Sequence, residues 1–282
     1  MYGAIFFMVS GKKIYTLTSV KQDVKSFFLD DNHWAYQYGS AAISCNKDSV
    51  FYKKQIQVIF EDQYPHDITG KAVNELIYEN FLKPEPRTFE KNMKTIFVSR
   101  RNLRYTALKI REKIHIMERY SDDELNDGVG KYAEMLFGHM FEKNQFQIIG
   151  RNTNTFRGRT WHKSGKDLDF IIERDGISYG VEIKNRFDYM RHYEFQDKLE
   201  MCQFLGLLPV FPLRCPSPQQ YELMKGAGGL ALKFKSRVFP PGNQKLVTDI
   251  WNHFRLPVTI WESILPPVEH VFLNYHLNKL PS

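Results

Sequence analysis

Apolar positions keep a helical spacing through much of the first half of the chain and switch to alternation in the second. At the start, residues 4–9 form an apolar run, Ser10-Gly11-Lys12 reads as a turn, and residues 13–18 resume with β-formers. Residues 1–20 therefore predict a hairpin. Residues 21–49 are ambiguous: a short helix, then a Tyr/Trp-rich patch. In residues 52–63, Ile56, Ile59 and Phe60 fall at helical spacing. After the turn Tyr64-Pro65-His66-Asp67, Thr69 is placed to cap a helix with an inner face of Ala72, Val73, Leu76 and Ile77. A polar stretch from Lys83 leads to the β-forming residues 95–98. Residues 101–120 predict a long helix with Leu103, Leu108, Ile110, Ile114 and Met117 as its apolar positions.

The acidic stretch Asp122-Asp123-Glu124, with Asp127, closes the first half and sets a boundary near residue 122, giving domains 1–121 and 122–282. Residues 130–141 predict a helix with Glu134 bordering an apolar stripe. From Gly165 the sequence runs GKDLDFIIERDGISYGVEIKN. Residues 167–172 and 177–184 predict two strands joined at Glu173-Arg174-Asp175-Gly176. Alternation puts Ile177, Tyr179, Val181 and Ile183 on a core face with Leu168, Phe170 and Ile172. Asp169, Glu182 and Lys184 then share the opposite, polar face, where Gly180 leaves backbone room. Residues 195–205 predict a helix and residues 208–213 a third strand. The apolar positions after Ile250 either pack on this core or form a dimer surface.

Composition narrows the function classes. The 282 residues are 43% hydrophobic, enough for a substantial core, and the three cysteines, Cys45, Cys202 and Cys215, form no CxxC pair. A thiolate zinc site and a disulfide framework are thus not indicated, and a reducing, intracellular, cytoplasmic setting fits best. The early apolar run is too short to span a bilayer. The net charge of +7 is concentrated: residues 83–119 hold eleven basic and four acidic residues, which points to a polyanion.

Two carboxylates set close together repel and want a cation, and hard oxygen ligands favour Mg²⁺, with Mn²⁺ as a substitute. A lysine beside them can orient water, and together these are parts for hydrolysing a phosphodiester. With Asp169, then Glu182-Ile183-Lys184 thirteen positions on, and Lys166-Asp167-Leu168-Asp169 leading in, the second half resembles the PD-(D/E)xK nuclease superfamily. The proline of the family name is absent here. The resemblance implies a mixed α/β sheet flanked by helices. It also implies metal ligation by Asp169, Glu182 and the Ile183 carbonyl, an action of Lys184 on the attacking water, and a catalytic glutamate, Glu134, on the preceding helix.

Residues 68–82 resemble the recognition helix of winged-helix DNA-binding domains, which would put an α+β domain in front of the nuclease core. Gly70, Lys71, Asn74 and Glu75 would then face the major groove; a purely structural helical hairpin is the competing reading. Further expected DNA contacts are Arg100, Arg101 and Arg104, then Arg157, Arg159 and Lys163 in a basic loop, and Gln196 and Lys198 near the site. His162 lacks a second histidine at metal-ligand spacing.

The expected activity is Mg²⁺-dependent cleavage of double-stranded DNA by a restriction-type endonuclease, with a homodimer on DNA and a companion DNA methyltransferase as partners. A junction resolvase, a repair nuclease, a ribonuclease or a non-enzymatic DNA-binding regulator on the same core are the alternatives.

Overall fold

The computed structural model describes residues 15–29, 34–38, 41–44, 49–89 and 93–280. The hairpin expected in residues 1–20 lies outside them for the most part, but Leu17 and Thr18, read as strand, open a helix. The chain divides into two compact units, one of residues 1–120 with Thr248–Leu256, the other of residues 121–247 and 257–282.

In the first unit the order is α1 (Leu17–Leu29), β1 (Trp34–Tyr38), β2 (Ala41–Ser44), β3 (Phe51–Tyr52), α2 (Lys53–Ile59), α3 (His66–Tyr78), β4 (Leu82–Phe89), β5 (Met93–Arg100) and α4 (Thr106–Tyr120). β3, β5 and β4 form an antiparallel sheet in that order. Val20, Val24 and Phe27 of α1 meet Ile56 of α2 and Ala72, Val73 and Leu76 of α3 in one buried cluster. The helical spacing read in the sequence is the cause, since each helix offers one apolar stripe to the same interior.

Two local expectations fail. Thr69 does not cap α3: the helix starts at His66, with Pro65 before it, and Thr69 Oγ1 donates to the Pro65 carbonyl from inside the first turn. A proline just outside a helix loses no intrahelical hydrogen bond, but Pro65 offers no side-chain cap to the first turn. The basic helix begins at Thr106, so Arg100, Arg101 and Arg104 lie before it, at the end of β5 and in the turn that follows. Leu108, taken as apolar-face, is 55% exposed, while Ile110, Ile116 and Met117 are buried.

The second unit opens on α5 (Asp123–Lys143), whose first turn contains the acidic stretch. Asp122 accepts from the Leu125 backbone amide, and Asp123 and Glu124 favour the positive end of the helix dipole. The acids therefore begin the second unit instead of closing the first. Then come β6 (Gln147–Thr153), β7 (Thr155–Phe156), β8 (Arg159–Thr160), β9 (Leu168–Arg174), β10 (Ile177–Val181), α6 (His192–Leu205), β11 (Leu208–Leu213), α7 (Pro218–Gly226), β12 (Leu230–Lys233) and β13 (Arg237–Phe239). α8 (Gln244–Phe254), β14 (Val258–Ile260) and α9 (Pro266–Leu277) complete the chain, and most of α8 belongs to the first unit.

The central sheet runs β12-β11-β10-β9-β6. β6, β9 and β10 pair antiparallel; β10, β11 and β12 pair parallel. The β9–β10 turn has Asp175 and Gly176 at φ 53 and 75, the left-handed pair that a two-residue hairpin needs. It is tighter than the four-residue turn expected.

Helices cover both faces of this sheet. Phe137 and Phe141 of α5 and Phe272 of α9 pack with Phe170, Ile172, Tyr179 and Val181 on one side. On the other, Phe195, Leu199 and Cys202 of α6 pack with Leu168, Ile171 and Phe211. The architecture is thus mixed α/β with helices flanking the strands, and the face read as polar is largely a second core. Leu168 also points the wrong way for simple alternation: it lies beneath α6, near Gly180, and not with Phe170. Ile250, Phe254, Val258, Trp261 and Ile264 are buried within the chain, the first of the two roles weighed for them, while Leu265 and Leu277 are exposed. Among the described residues, no helix is long and apolar enough to cross a membrane.

Candidate active site

Regular pairing of β9 with β10 ends at Val181 opposite Phe170. Beyond it the chain keeps following β11: the Glu182 amide donates to the Val210 carbonyl at 3.4 Å and the Lys184 amide to Pro212 at 2.9 Å. This continuation carries Glu182, Ile183 and Lys184 past the paired part of β9, where Asp169 meets them. Asp169 Oδ2 accepts from the Ile183 amide at 2.6 Å. Below, Asn185 Nδ2 donates to the carbonyls of Val129 (3.0 Å) and Val238 (2.7 Å). The buried Arg214 donates to those of Arg186 (2.9 Å) and Phe187 (2.8 Å). The segment after Lys184 is therefore held by main-chain hydrogen bonds on several sides.

Glu182 is 1% exposed and bound by two ammonium groups: Lys184 Nζ lies 2.5 Å from Oε1 and Lys198 Nζ 2.7 Å from Oε2. Lys198 is itself 5% exposed and also donates to the Asp167 carbonyl, so it neither faces DNA nor lies in solvent, the two roles weighed for it. A lysine in an apolar helix face is affordable here only because a buried carboxylate compensates it. Lys184 is held from a second side by Glu194 of α6 at 3.3 Å, and Glu194 pairs with Arg186 at 2.8 Å. Burial opposes the Lys184 charge, but Glu182 and Asp169 outweigh it and raise its pKa above the usual lysine value. Burial likewise acts to raise Glu194, yet Arg186 and Lys184 hold it below the usual carboxylate range.

Asp169 stands apart from this paired network. Its carboxyl is pushed up to about 8, first by burial and then by the charge of Glu182, with Glu134 adding a smaller push; Lys184 and the Ile183 amide only partly offset them. Glu134 and Asp169 both line a cleft of about 240 Å³ between α5, β6 and β9. Among the described residues no group of three or more His, Cys, Asp or Glu side chains is gathered as a metal site. The residues that could hold a hard divalent cation are Asp169, whose carboxyl the Lys184 charge offsets only in part, and Glu182, both of whose oxygens are bound by ammonium groups, with the Ile183 carbonyl between them in sequence.

The expected DNA contacts divide sharply. Lys71 and Asn74 are exposed on α3, although Asn74 Oδ1 accepts from Lys53 at 2.9 Å. Gly70 is buried against α2; an added Cβ would lie 2.7 Å from Gln57 Nε2, so it does not face outward. Glu75 is half-buried, whereas Tyr78, on the same stripe as Lys71 and Asn74, is 86% exposed. Arg101 donates to Asn80 Oδ1 at 2.8 Å, Arg104 is exposed and Arg100 is half-buried. In the basic loop, Arg157 pairs with Glu173 at 2.8 Å, Arg159 donates to the Phe204 carbonyl at 2.9 Å, and Lys163 pairs with Glu200. Gln196 Nε2 donates to Glu200 at 3.4 Å.

Sequence reading missed Glu194 and Arg214. Glu194 lies ten positions after Lys184, and its one signal was an acid at the start of an expected helix. Compared with family models, with curated proteins and with solved structures, the chain has no match.

Proposed function

We propose that the second unit is a metal-dependent phosphodiesterase and, more particularly, that the chain is a Mg²⁺-dependent endonuclease of the PD-(D/E)xK kind acting on double-stranded DNA. The observation that carries this reading is Asp169: a carboxyl short of positive charge, beside the Glu182–Lys184 pair and facing a cleft that also holds Glu134. Asp169 accepts from the Ile183 amide, yet the charge of Lys184 only partly offsets its burial and the repulsion of Glu182, and carboxyls so perturbed in a cleft mark functional sites.

Asp169, Glu182 and the Ile183 carbonyl would hold the cation. When bound, the ion supplies neutralisation of the charge that builds on the phosphate and a lowered pKa for water. Lys184, kept protonated by Glu182, donates a hydrogen bond; it orients the attacking water and does not accept its proton. Glu194 fixes the direction of that ammonium group, and Lys198 compensates the buried side of Glu182. Glu134 reaches the same cleft from α5. Hydrolysis would form a bond from water oxygen to phosphorus and break the bond from phosphorus to a sugar oxygen, with a proton released by the water to solvent and one taken from solvent by the departing sugar oxygen.

What supports a DNA-reading role for the first unit is its element order, α1-β1-β2-β3-α2-α3-β4-β5 with sheet order β3-β5-β4, which resembles a winged helix apart from the added β1–β2 pair. Lys71 and Asn74 sit on the exposed face of its third helix. A separate reading unit favours a restriction-type enzyme over a resolvase or repair nuclease, with a companion methyltransferase protecting host sites. One carboxylate site per chain favours a two-fold dimer for cutting both strands. The test is digestion of a linear duplex library by purified protein in Mg²⁺. Discrete fragments, lost in EDTA and in Asp169→Ala, are expected; no Mg²⁺-dependent cleavage of any DNA would end the proposal, and cleavage of branched DNA alone would turn it to a resolvase.

A further inference from the structure

Arg157, Arg159 and Lys163 of the basic loop, Lys198 of α6 and Lys143 of α5 are engaged with protein partners, the last with Glu269 at 3.0 Å. Lys131 and His139 are exposed, and among the described residues neither has a hydrogen-bond or ion-pair partner. Both line the cleft that ends at Asp169. Positions 131, 134, 138, 139 and 142 fall on one helical stripe. At about 1.5 Å of rise per residue, Lys131 and His139 lie about 12 Å apart along α5, with Glu134 between them.

Arg151 of β6 stands at the His139 end: its Nη1 is 3.7 Å from where a Cβ on Gly138 would lie, and its guanidinium lies 5.0 Å over the Phe170 ring. Its one ion pair, to Glu142 at 3.1 Å, is solvent-exposed on both sides, a kind of pair that exchanges readily for a better anion. Beside it Asn152 takes a left-handed backbone conformation, φ 46, at the cleft wall. The cleft thus has Glu134 between Lys131 and His139 along α5, with the exposed Arg151–Glu142 pair at the His139 end.

We infer that this stripe of α5 is the track for a nucleic-acid strand, with Lys131 binding the phosphate on one side of the cut and Arg151 with His139 binding the phosphate on the other. The inference rests on the proposed nuclease reading and deepens it: a site with a cation at each end takes an internal phosphodiester. A substrate with a phosphate on one side only, such as a terminal nucleotide, fills half of it. It also moves the strand-contacting role from Arg157, Arg159 and Lys163 to Lys131 and His139, which have no hydrogen-bond or ion-pair partner among the described residues, and to Arg151, whose one pair is exposed on both sides.

The experiment uses the full chain with Lys131→Gln, Arg151→Gln and His139→Gln, and duplex oligonucleotides with single uncharged methylphosphonate linkages on either side of the cut. In Mg²⁺, a neutral linkage on either side should lower kcat/KM of the unaltered protein. Lys131→Gln should be indifferent to the linkage on one side only, and Arg151→Gln or His139→Gln to the linkage on the other. In Ca²⁺, binding followed by fluorescence anisotropy should lose about 0.7 to 0.9 from its log–log salt slope for each of the Lys131 and Arg151 contacts removed.

Cleavage with unchanged linkage sensitivity and unchanged salt slope in all three variants overturns the track and leaves the nuclease reading standing. Binding whose salt slope drops in the variants, without cleavage in any metal, supports the track and overturns the nuclease reading. No measurable binding overturns the track. His139→Gln guards against a local packing change in Arg151→Gln, because His139 is exposed and has no hydrogen-bond or ion-pair partner to lose among the described residues.

Discussion

The raised pKa of Asp169 has a direct thermodynamic consequence. The folded chain keeps the Asp169 proton up to about 8, whereas an unfolded chain releases it near the ordinary value of 3.8. Between these values folding takes up a proton, so metal-free stability falls as pH rises. The limiting slope is about 1.4 kcal/mol per pH unit for one proton. Asp169 retains some contact with solvent, which trims this, so a loss of about 1.5 to 2.7 kcal/mol is expected between pH 5 and pH 7.

Asp169→Asn has the neutral shape without the titration and still accepts from the Ile183 amide. The quantity to measure is the difference in urea unfolding free energy between the two proteins in EDTA at pH 5, 6 and 7, since other titrating groups cancel. The Asn variant should gain on the unaltered protein as pH rises. Excess Mg²⁺ at pH 7.5 should reverse the order by stabilising only the protein with Asp169. A pH-independent difference, or one in which the Asp protein gains with pH, would refute the argument, because it would mean that Asp169 is ionised and already compensated in the fold.

Other perturbations follow from the same network. Glu182→Gln should abolish cleavage while sparing DNA affinity; wild-type single-turnover rates would remove Glu182 from the site. Lys184→Ala should slow the chemical step with little change in Mg²⁺ affinity, and equal losses in both would make its role structural. Lys198→Met should destabilise by about 3 kcal/mol or more, because it leaves the inner oxygen of a buried glutamate uncompensated; the loss of urea midpoint measures this. In the first unit, Lys113 is pushed down to about 7 by burial, with Arg255 and Lys109 adding to it, so its folded form releases a proton that the unfolded chain holds to about 10.5. Stability from that group rises with pH above 7, and Lys113→Met should raise the melting temperature at pH 6 more than at pH 9.

What could be read from the sequence was what depends on periodicity. α3, β9, β10, β11 and the inner faces of α2 and α5 follow from spacing alone, because a stripe or an alternation has one way to meet a core. The failures came where a residue type has two uses. Asp122 to Glu124 look like a solvent-facing terminator and serve as the start of α5. Pro65 reads as a turn and initiates α3. Leu168 breaks the alternation of its strand, and residues 248–256 pack with the first unit although they come late in the chain. That last return also bears on experiment: removing residues 1–120 would expose Ile250 and Phe254, both buried, so point substitutions at Lys71 and Asn74 test DNA reading more cleanly than truncation.

The site was legible in its carboxylates and opaque in its cations. Asp169 and Glu182 are polar residues interrupting apolar strands, where an uncompensated carboxylate is costly, so their oddness was visible. Lysines and arginines are mostly exposed whatever they do, so the sequence could not say which were spoken for. Lys198 looked like a surface residue on a helix and is the buried partner of Glu182; Arg157 and Lys163 looked like phosphate ligands and are paired with Glu173 and Glu200. The informative difference between two lysines is therefore which acid each has found. By that measure Lys131, with none among the described residues, is a stronger candidate for the proposed substrate contact than Arg157 or Lys163, and it lies on the same helix as Glu134.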